Sequence, residues 1–251
     1  MSKGVIYYTD NRIINPIKDV VKHFIKKSAL PIVSTSLSPI KFGKNIVLEN
    51  RLRSYPTYIL QIYEALINLN TKYVFFCEHD VLYHKSHFDF TPPKDDVFYY
   101  NSNVWRWKLH DFKLVTYTKM RPLSCLCVNR ELAIDHYKKR VEKAKELGLS
   151  ETRSREPRTG VVWGYEPGTK PTSRGGFSND KADDWTSEFP NIDIRHNKTF
   201  TSIKLDPNDF KILPDGYKEI NYDEIPGWDL KALFGEGIRN HTQFSFSDFN
   251  S

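Results

Sequence analysis

Lys72-Tyr73-Val74-Phe75-Phe76-Cys77-Glu78-His79-Asp80-Val81-Leu82 is an apolar run that stops abruptly at two acids. An unbroken apolar stretch of strand length, with no polar alternation, belongs to a strand covered on both faces, the usual state of mostly parallel sheets. Upstream of it, Val5-Ile6-Tyr7-Tyr8 is a short apolar run closed by the turn-forming Asp10-Asn11. Asn15-Pro16 then reads as an N-cap with proline at the first helical position, followed by Ile17, Val20, Val21, Phe24 and Ile25 at helical spacing. Ile32 to Thr35 and Ile46 to Leu48 read as strands. A helix opens near Ser54 with Tyr58, Ile62, Ala65, Leu66 and Leu69 as its apolar stripe, ending around Asn68 to Asn70. Strand and helix in alternation predict right-handed crossovers and a mixed, mostly parallel α/β sheet flanked by helices. No glycine-rich dinucleotide fingerprint or P-loop occupies any of the turns, which excludes the common dehydrogenase and NTPase patterns.

Beyond residue 90 the pattern changes. Asp96 to Tyr100 and Lys113 to Tyr117 read as strands of a hairpin-like region around Trp105 and Trp107, and Leu123 to Val128 as a further strand. Asn129-Arg130-Glu131 opens a helix that Gly148 ends. A Gly-, Pro-, Arg- and Ser-rich stretch from about Ser150 to Lys181 reads as a long loop, and such loops in compact domains are usually functional or disordered. The tail from Asp206 onward is irregular.

The two acids carry the chemistry. Spaced i and i+2, Glu78 and Asp80 fall on one side of an extended chain. They sit at the carboxyl end of a buried strand, where open α/β sheets hold ligands. A hard divalent cation held there bridges phosphates and offsets charge on a leaving diphosphate. The net charge of +6 suits a polyanionic substrate. Cys77, Cys125 and Cys127 are odd in number, lie in apolar segments and lack zinc-knuckle spacing, so core thiols are expected. No apolar run reaches the ~18 residues of a membrane span, and the opening residues lack a signal-peptide pattern, so a cytoplasmic protein without membrane insertion is expected.

With Glu78-His79-Asp80 in place, Lys72 to Leu82 resembles the DxD region of GT-A glycosyltransferases, in particular compact, family 2-like enzymes of phage and bacterial type. The resemblance covers about residues 3–200 and departs from the simple pattern in having Glu at the first acidic position. It implies a GT-A catalytic domain over residues 1–205, with 1–100 as the nucleotide-sugar half, 101–205 as the acceptor half and 206–251 as a C-terminal extension. It also implies an inverting, metal-dependent transfer from a nucleotide-diphosphate sugar, UDP-linked by preference, to a hydroxyl acceptor. Asp80, His196 and Glu78 would hold the metal, with Mn²⁺ favoured over Mg²⁺ by a mixed oxygen and imidazole shell. Glu188, at an expected helix start, would be the general base, with Asp184 as its understudy. Thr9, Asp10, Asn11, Arg51, Arg53, Glu78 and His79 would meet the donor, Tyr58 and Gln61 less directly. Asn101, Asn103, Trp105 and Trp185 would meet the sugar or acceptor, and His84 and His87 would support the metal or ligate it.

Two basic stretches, Lys138 to Lys145 and Arg153 through Arg174, bear on the acceptor. The first reads as a solvated helix face. The second lies on the long loop, where it would track a nucleic-acid backbone. A hydroxymethylated base in DNA, flipped from its stack, is therefore an expected acceptor, and a bacterial surface glycan the competing one. A nucleotidyltransferase would bring a basic glycine-rich loop that Thr9-Asp10-Asn11-Arg12 lacks. A non-catalytic nucleic-acid-binding module would leave the acidic clusters without a purpose.

Overall fold

The computed structural model describes residues 2–13, 15–108, 112–149, 166–169, 180–195 and 205–234. In chain order the elements are β1 (Lys3–Thr9), α1 (Ile17–Lys26), β2 (Ile32–Ser36), β3 (Lys44–Val47), α2 (Tyr55–Asn68), β4 (Tyr73–Glu78) and β5 (Val81–Leu82). Then follow β6 (Val97–Asn101), β7 (Val104–Lys108), β8 (Lys113–Thr116), β9 (Leu126–Asn129), α3 (Arg130–Glu146), β10 (Lys181–Trp185), β11 (Asn191–Arg195), β12 (Lys218–Asn221) and α4 (Leu230–Phe234).

Two sheets result. The larger has the order β10-β6-β9-β4-β1-β2-β3 and the smaller β12-β8-β7-β11-β5. In the large sheet β3, β2, β1 and β4 run parallel, β10 runs parallel to β6, and β9 is antiparallel to both of its neighbours. The mixed, mostly parallel sheet flanked by helices is the architecture expected from the sequence. Tyr8 pairs with Glu78 and Thr9 with Ser36, so β1, β2 and β4 end at one edge.

Burial explains the apolar run. Val74, Phe75, Phe76 and Cys77 are all fully buried, because alternate residues serve two cores. Phe75 and Cys77 pack with α1 and the small sheet, including Trp107, Ile192 and Ile194. Val74 and Phe76 pack beneath α2 and α3 against Ile62, Leu66 and Tyr137. At about 1.5–3 kcal/mol for each large apolar side chain, these contacts fix the strand at the centre of the molecule. The three cysteines are buried and free.

Helix ends follow local chemistry. The Ser54 side chain accepts from Thr57 N–H at the start of α2, with Pro56 in its first turn. Asn129 caps α3 by accepting from Glu131 and Leu132 N–H, and the helix gives way to Gly148 at φ +56°. α1 departs from expectation: Pro16 holds its cap position and supplies no side-chain bond. Three lysines of α3 pair within their own helix, Lys138 with Glu142, Lys139 with Asp135 and Lys143 with Glu146, as on a solvated face, but Arg140 of the same basic stretch is buried over the Tyr137 ring.

Three expectations of the second half are corrected. Residues Asp96 to Tyr100 and Lys113 to Tyr117 do not share a hairpin: β6 joins the large sheet, while β8 pairs with β7, the strand that carries both tryptophans. Leu123 to Cys125 form a 3-10 turn before β9. The stretch through Glu188 opens no helix, because Lys181 to Trp185 is drawn into parallel pairing with β6 and a bend leads directly to β11. The C-terminal segment packs on the small sheet: β12 pairs with β8, Trp228 Nε1 donates to Pro190 O, and Phe234 meets Trp107. Among the described residues no helix is long and apolar enough to cross a membrane.

Candidate active site

A cavity of about 700 Å³ opens over the carboxyl ends of β1 and β4. That volume is in the range of small-molecule sites. Its floor is Tyr8, Thr9 and Asp10 from the end of β1 and Glu78, His79 and Asp80 from the end of β4. Ser54, Thr57, Tyr58 and Gln61 from the start of α2 form one wall, and Arg106, Tyr117, Arg121 and Arg195 also line the cavity.

The acidic pair converges by a turn rather than by extended alternation. β4 ends at Glu78, His79 and Asp80 turn, and β5 begins at Val81. Glu78 N–H donates to the buried Tyr83 hydroxyl at 2.8 Å, which fixes that turn. The Glu78 side chain is held in place as well. Tyr8 and Tyr58 both donate their hydroxyls to its Oε1, at 3.0 and 2.8 Å. Aspartate, one methylene shorter, would not reach this pair of hydroxyls from the same backbone, which accounts for glutamate at the first acidic position.

A third acid completes the floor. β11 lies antiparallel to β5, with Asp193 opposite Val81, and Ile194 N–H donates to Asp80 O at 2.8 Å. Asp193 is only 4% exposed and faces Arg195 at 3.1 Å and Arg106 at 3.5 Å. Burial, then the negative charge of Asp80, pushes the Glu78 carboxyl up to about 8, and Asp193 adds to the rise. Burial pulls the Arg195 guanidinium down, but Asp193, Asp80 and Glu78 outweigh it and raise its pKa. The floor is thus a concentration of acidic groups that Arg195 and Arg106 only partly offset.

A test of that charge follows. A carboxyl whose folded pKa is raised contributes stability that is fully present below the ordinary carboxylate range and is lost as pH rises to about 8. In EDTA, wild-type melting temperature should fall across that window, and Glu78→Gln, which keeps an oxygen for both tyrosines, should flatten the fall. Parallel melting curves for the two proteins from pH 5 to 9 would remove the buried-acid account.

The donor residues expected from sequence are partly brought together. Thr9, Asp10, Arg53, Tyr58, Gln61, Glu78 and His79 all line the cavity. Arg53 Nε bonds Asp10 Oδ2 at 2.6 Å, and Gln61 Nε2 donates to Thr9 O at 2.8 Å. His79 lies 3.9 Å from Asp10 and 4.0 Å from Asp80. Asn11 shapes the loop instead: at φ +64° its Oδ1 accepts from Leu37 and Ser38 N–H. Arg51 is exposed and outside the cavity lining.

The acceptor-side residues are distributed differently. Asp184 lines the cavity, where Arg121 grips both of its oxygens at 2.7 and 2.8 Å. Glu188 is exposed, in the bend that precedes β11, and its charge acts on His84, away from the cavity lining. Asn101 is fully buried and bonds His87 and Ser187, and Asn103 Nδ2 donates to Ser187 O. Trp105 packs against the core and Trp185 stacks on Phe90 at 4.4 Å, so neither ring reaches the cavity. His87 is buried, its pKa brought down to about 3 by that burial, and accepts at Nδ1 from Asn101 and Asn191. His84 caps the 3-10 turn Lys85–Asp89 through Nδ1. His196 and the basic residues Arg153, Arg155, Arg158 and Arg174 lie outside the described residues. Among the lining residues that sequence reasoning missed are Asp193, Arg195, Arg106 and Glu166, with Tyr8, Thr57, Tyr117 and Arg121.

No protein-family model and no curated protein matches the chain. Solved structures do match. One is the bifunctional IspDF from Campylobacter jejuni, at 12% identity and TM-score 0.42, covering 75% of this chain and 50% of that one. This chain therefore spans half the length of the IspDF chain. Another is a glycosyltransferase involved in glycosylation of the major capsid of PBCV-1, at 8% identity and TM-score 0.41, covering 74% of this chain and 82% of that one. A third is a Drosophila β1,4-galactosyltransferase 7 mutant in complex with manganese, UDP-Gal and xylobiose. It matches at 10% identity and TM-score 0.32, over 60% of this chain and 63% of that one. At these TM-scores the functional reading rests on the site's own residues.

Among the described residues no three His, Cys, Asp or Glu side chains converge as a ready-made metal cage. The donor set is Asp80, with Glu78 behind it, in an acid-rich floor. One or two carboxylates with phosphates completing the shell is how Mg²⁺-like cations are usually held beside nucleotides, so these residues fit a hard cation that arrives with its substrate.

Proposed function

We propose that this chain is a metal-dependent glycosyltransferase of the GT-A type, moving a sugar from a nucleotide-diphosphate donor to a hydroxyl. The observation that carries the reading is the acidic floor, Glu78, Asp80 and Asp193, at the carboxyl ends of central strands in a cavity with arginine walls. A cation bound there would neutralise charge on the departing diphosphate. Asp80 and Glu78 would hold it, Glu78 oriented by Tyr8 and Tyr58. Arg53, Arg106 and Arg195 present guanidinium forks suited to phosphate oxygens. Thr9, Asp10, Thr57 and Gln61 form the polar recess for the nucleoside. Mn²⁺ is proposed over Mg²⁺, with His196 as an imidazole ligand.

For the acceptor we propose a hydroxymethylated base in DNA, supported by the arginines of the long loop and by the net charge of +6. A bacterial surface glycan is the second reading.

Thermal stabilisation by UDP-, GDP-, CMP- and dTDP-linked sugars, with Mn²⁺ or EDTA, tests the donor site. One donor should raise the melting temperature only with Mn²⁺, and Asp80→Ala should lose that rise. No rise with any donor, or one indifferent to metal and to Asp80, overturns the reading.

A further inference from the structure

The geometry points to Glu166 as the group that takes the proton from the attacking hydroxyl, an inference that rests on the sugar-transfer reading above. The other carboxylates of the cavity are already engaged. Asp10 is paired with Arg53, Glu78 holds two tyrosine hydroxyls, Asp184 is gripped by Arg121, and Asp193 faces Arg195. Asp80 belongs to the same acidic floor as Glu78 and Asp193. Glu166 lines the same cavity, and its carboxyl accepts from its own backbone N–H, while no side chain among the described residues hydrogen-bonds it or lies at ion-pair distance.

Its setting is built rather than incidental. Thr169 donates to the Glu166 carbonyl through both N–H and Oγ1, at 3.1 and 2.7 Å, closing the turn Glu166 to Thr169. Tyr100, near the end of β6, donates its hydroxyl to Pro167 O at 2.8 Å and ties the turn to the large sheet. Gly168, at φ +73°, lies so close to β10 that an added Cβ would fall 2.8 Å from Ala182. β9 separates β6 from β4, which sets their axes about 10 Å apart. Glu166 and Asp80 line one cavity of about 700 Å³, a volume that admits a sugar ring and an incoming hydroxyl.

Burial raises the Glu166 carboxyl above its ordinary value, and its own backbone N–H, then Arg140 of α3 and Arg106 of β7, pull it part of the way back. Among the described residues, the other titratable groups that face it are the buried phenols of Tyr100 and Tyr137, neutral across the working pH range. A carboxylate so poised suits proton acceptance near neutral pH. In the step, the acceptor oxygen bonds the anomeric carbon and the bond from that carbon to the diphosphate oxygen breaks. Its electron pair leaves on the diphosphate, and the hydroxyl proton moves to Glu166.

With water as the attacking hydroxyl, free nucleotide release is measured for wild type, Glu166→Gln and Glu166→Ala, using the donor that stabilises wild type. Both variants should keep the Mn²⁺-dependent donor shift and lose about 100-fold or more in release. Glu166→Gln should also lose the acidic limb of the pH–rate profile. Azide should restore donor turnover to Glu166→Ala, because the anion attacks carbon with no proton to lose, a rescue that a purely structural defect would not show. Unimpaired release in Glu166→Gln with a normal donor shift overturns this assignment and leaves the donor site standing. Loss of the donor shift together with release assigns Glu166 to donor binding and overturns it as well. No donor shift in wild type overturns both readings.

Discussion

Asp193→Ala is expected to unfold more easily than wild type by about 3–5 kcal/mol, a drop in melting temperature of about 10 °C. The Asp193 side chain is 5% exposed and Arg195 only 10%, so the two charges meet out of water, with Arg106 at 3.5 Å as a second partner. Deleting the carboxylate leaves two guanidinium groups confronting each other in a space that water enters poorly. A gain opposes this, since Asp193 also presses on Glu78. That gain is smaller, because burial and Asp80 come before Asp193 in raising Glu78, while the ion pair is in direct contact. Urea unfolding of Asp193→Ala, Arg195→Met and the double variant measures the pair. The double variant should recover part of the loss of Asp193→Ala, with a coupling above about 1 kcal/mol. A single-variant loss below about 1 kcal/mol would show that the pair is solvated and carries little.

The same residue shows where sequence reading stops. β4 was legible because Val74 to Cys77 feed two cores at once, which leaves an unbroken apolar signature on one short segment. α2 and α3 were legible because their caps, Ser54 and Asn129, act on neighbours two or three residues away. Glu78 and Asp80 were legible for the same reason: the pair sits where that apolar run ends. Asp193 enters the site through the pairing of β11 with β7 on one side and with the two-residue strand Val81–Leu82 on the other, and no local pattern encodes either register. Trp185 and Asn101 have side chains suited to sugars, yet the β6–β10 pairing and the Ser187 and His87 bonds turn them into scaffold. Glu166 lies in a stretch of Gly, Pro, Arg and Ser without periodicity, and its place in the cavity lining follows from contacts distant in sequence, such as the Tyr100 to Pro167 bond.

Asp80→Asn should move stability and activity in opposite directions. Asp80 is 7% exposed, and its charge follows burial as the next cause that drives Glu78 upward. Asparagine keeps the size and one oxygen and removes that charge, so the metal-free protein should melt higher at pH 8 and above, where Glu78 would otherwise have to ionise beside it. Arg195 loses one of its counter-charges in the exchange, but Asp193 remains in contact with it. Catalysis runs the other way. A cation stabilising a departing diphosphate contributes several kcal/mol, and losing about 4 kcal/mol of it costs a factor of about 10³ in turnover. Raising Mn²⁺ should recover some of the donor-induced stabilisation, because in the proposed site Glu78 and the phosphates would still contribute to the shell, while Asp80→Ala should recover less. A change that stabilises the fold and disables the reaction marks a residue kept for chemistry against the interest of packing. The reading fails if EDTA-treated Asp80→Asn melts below wild type at pH 8 while donor turnover is retained. Asp80 would then serve the loop between β4 and β5, and the acidic floor would be architecture alone.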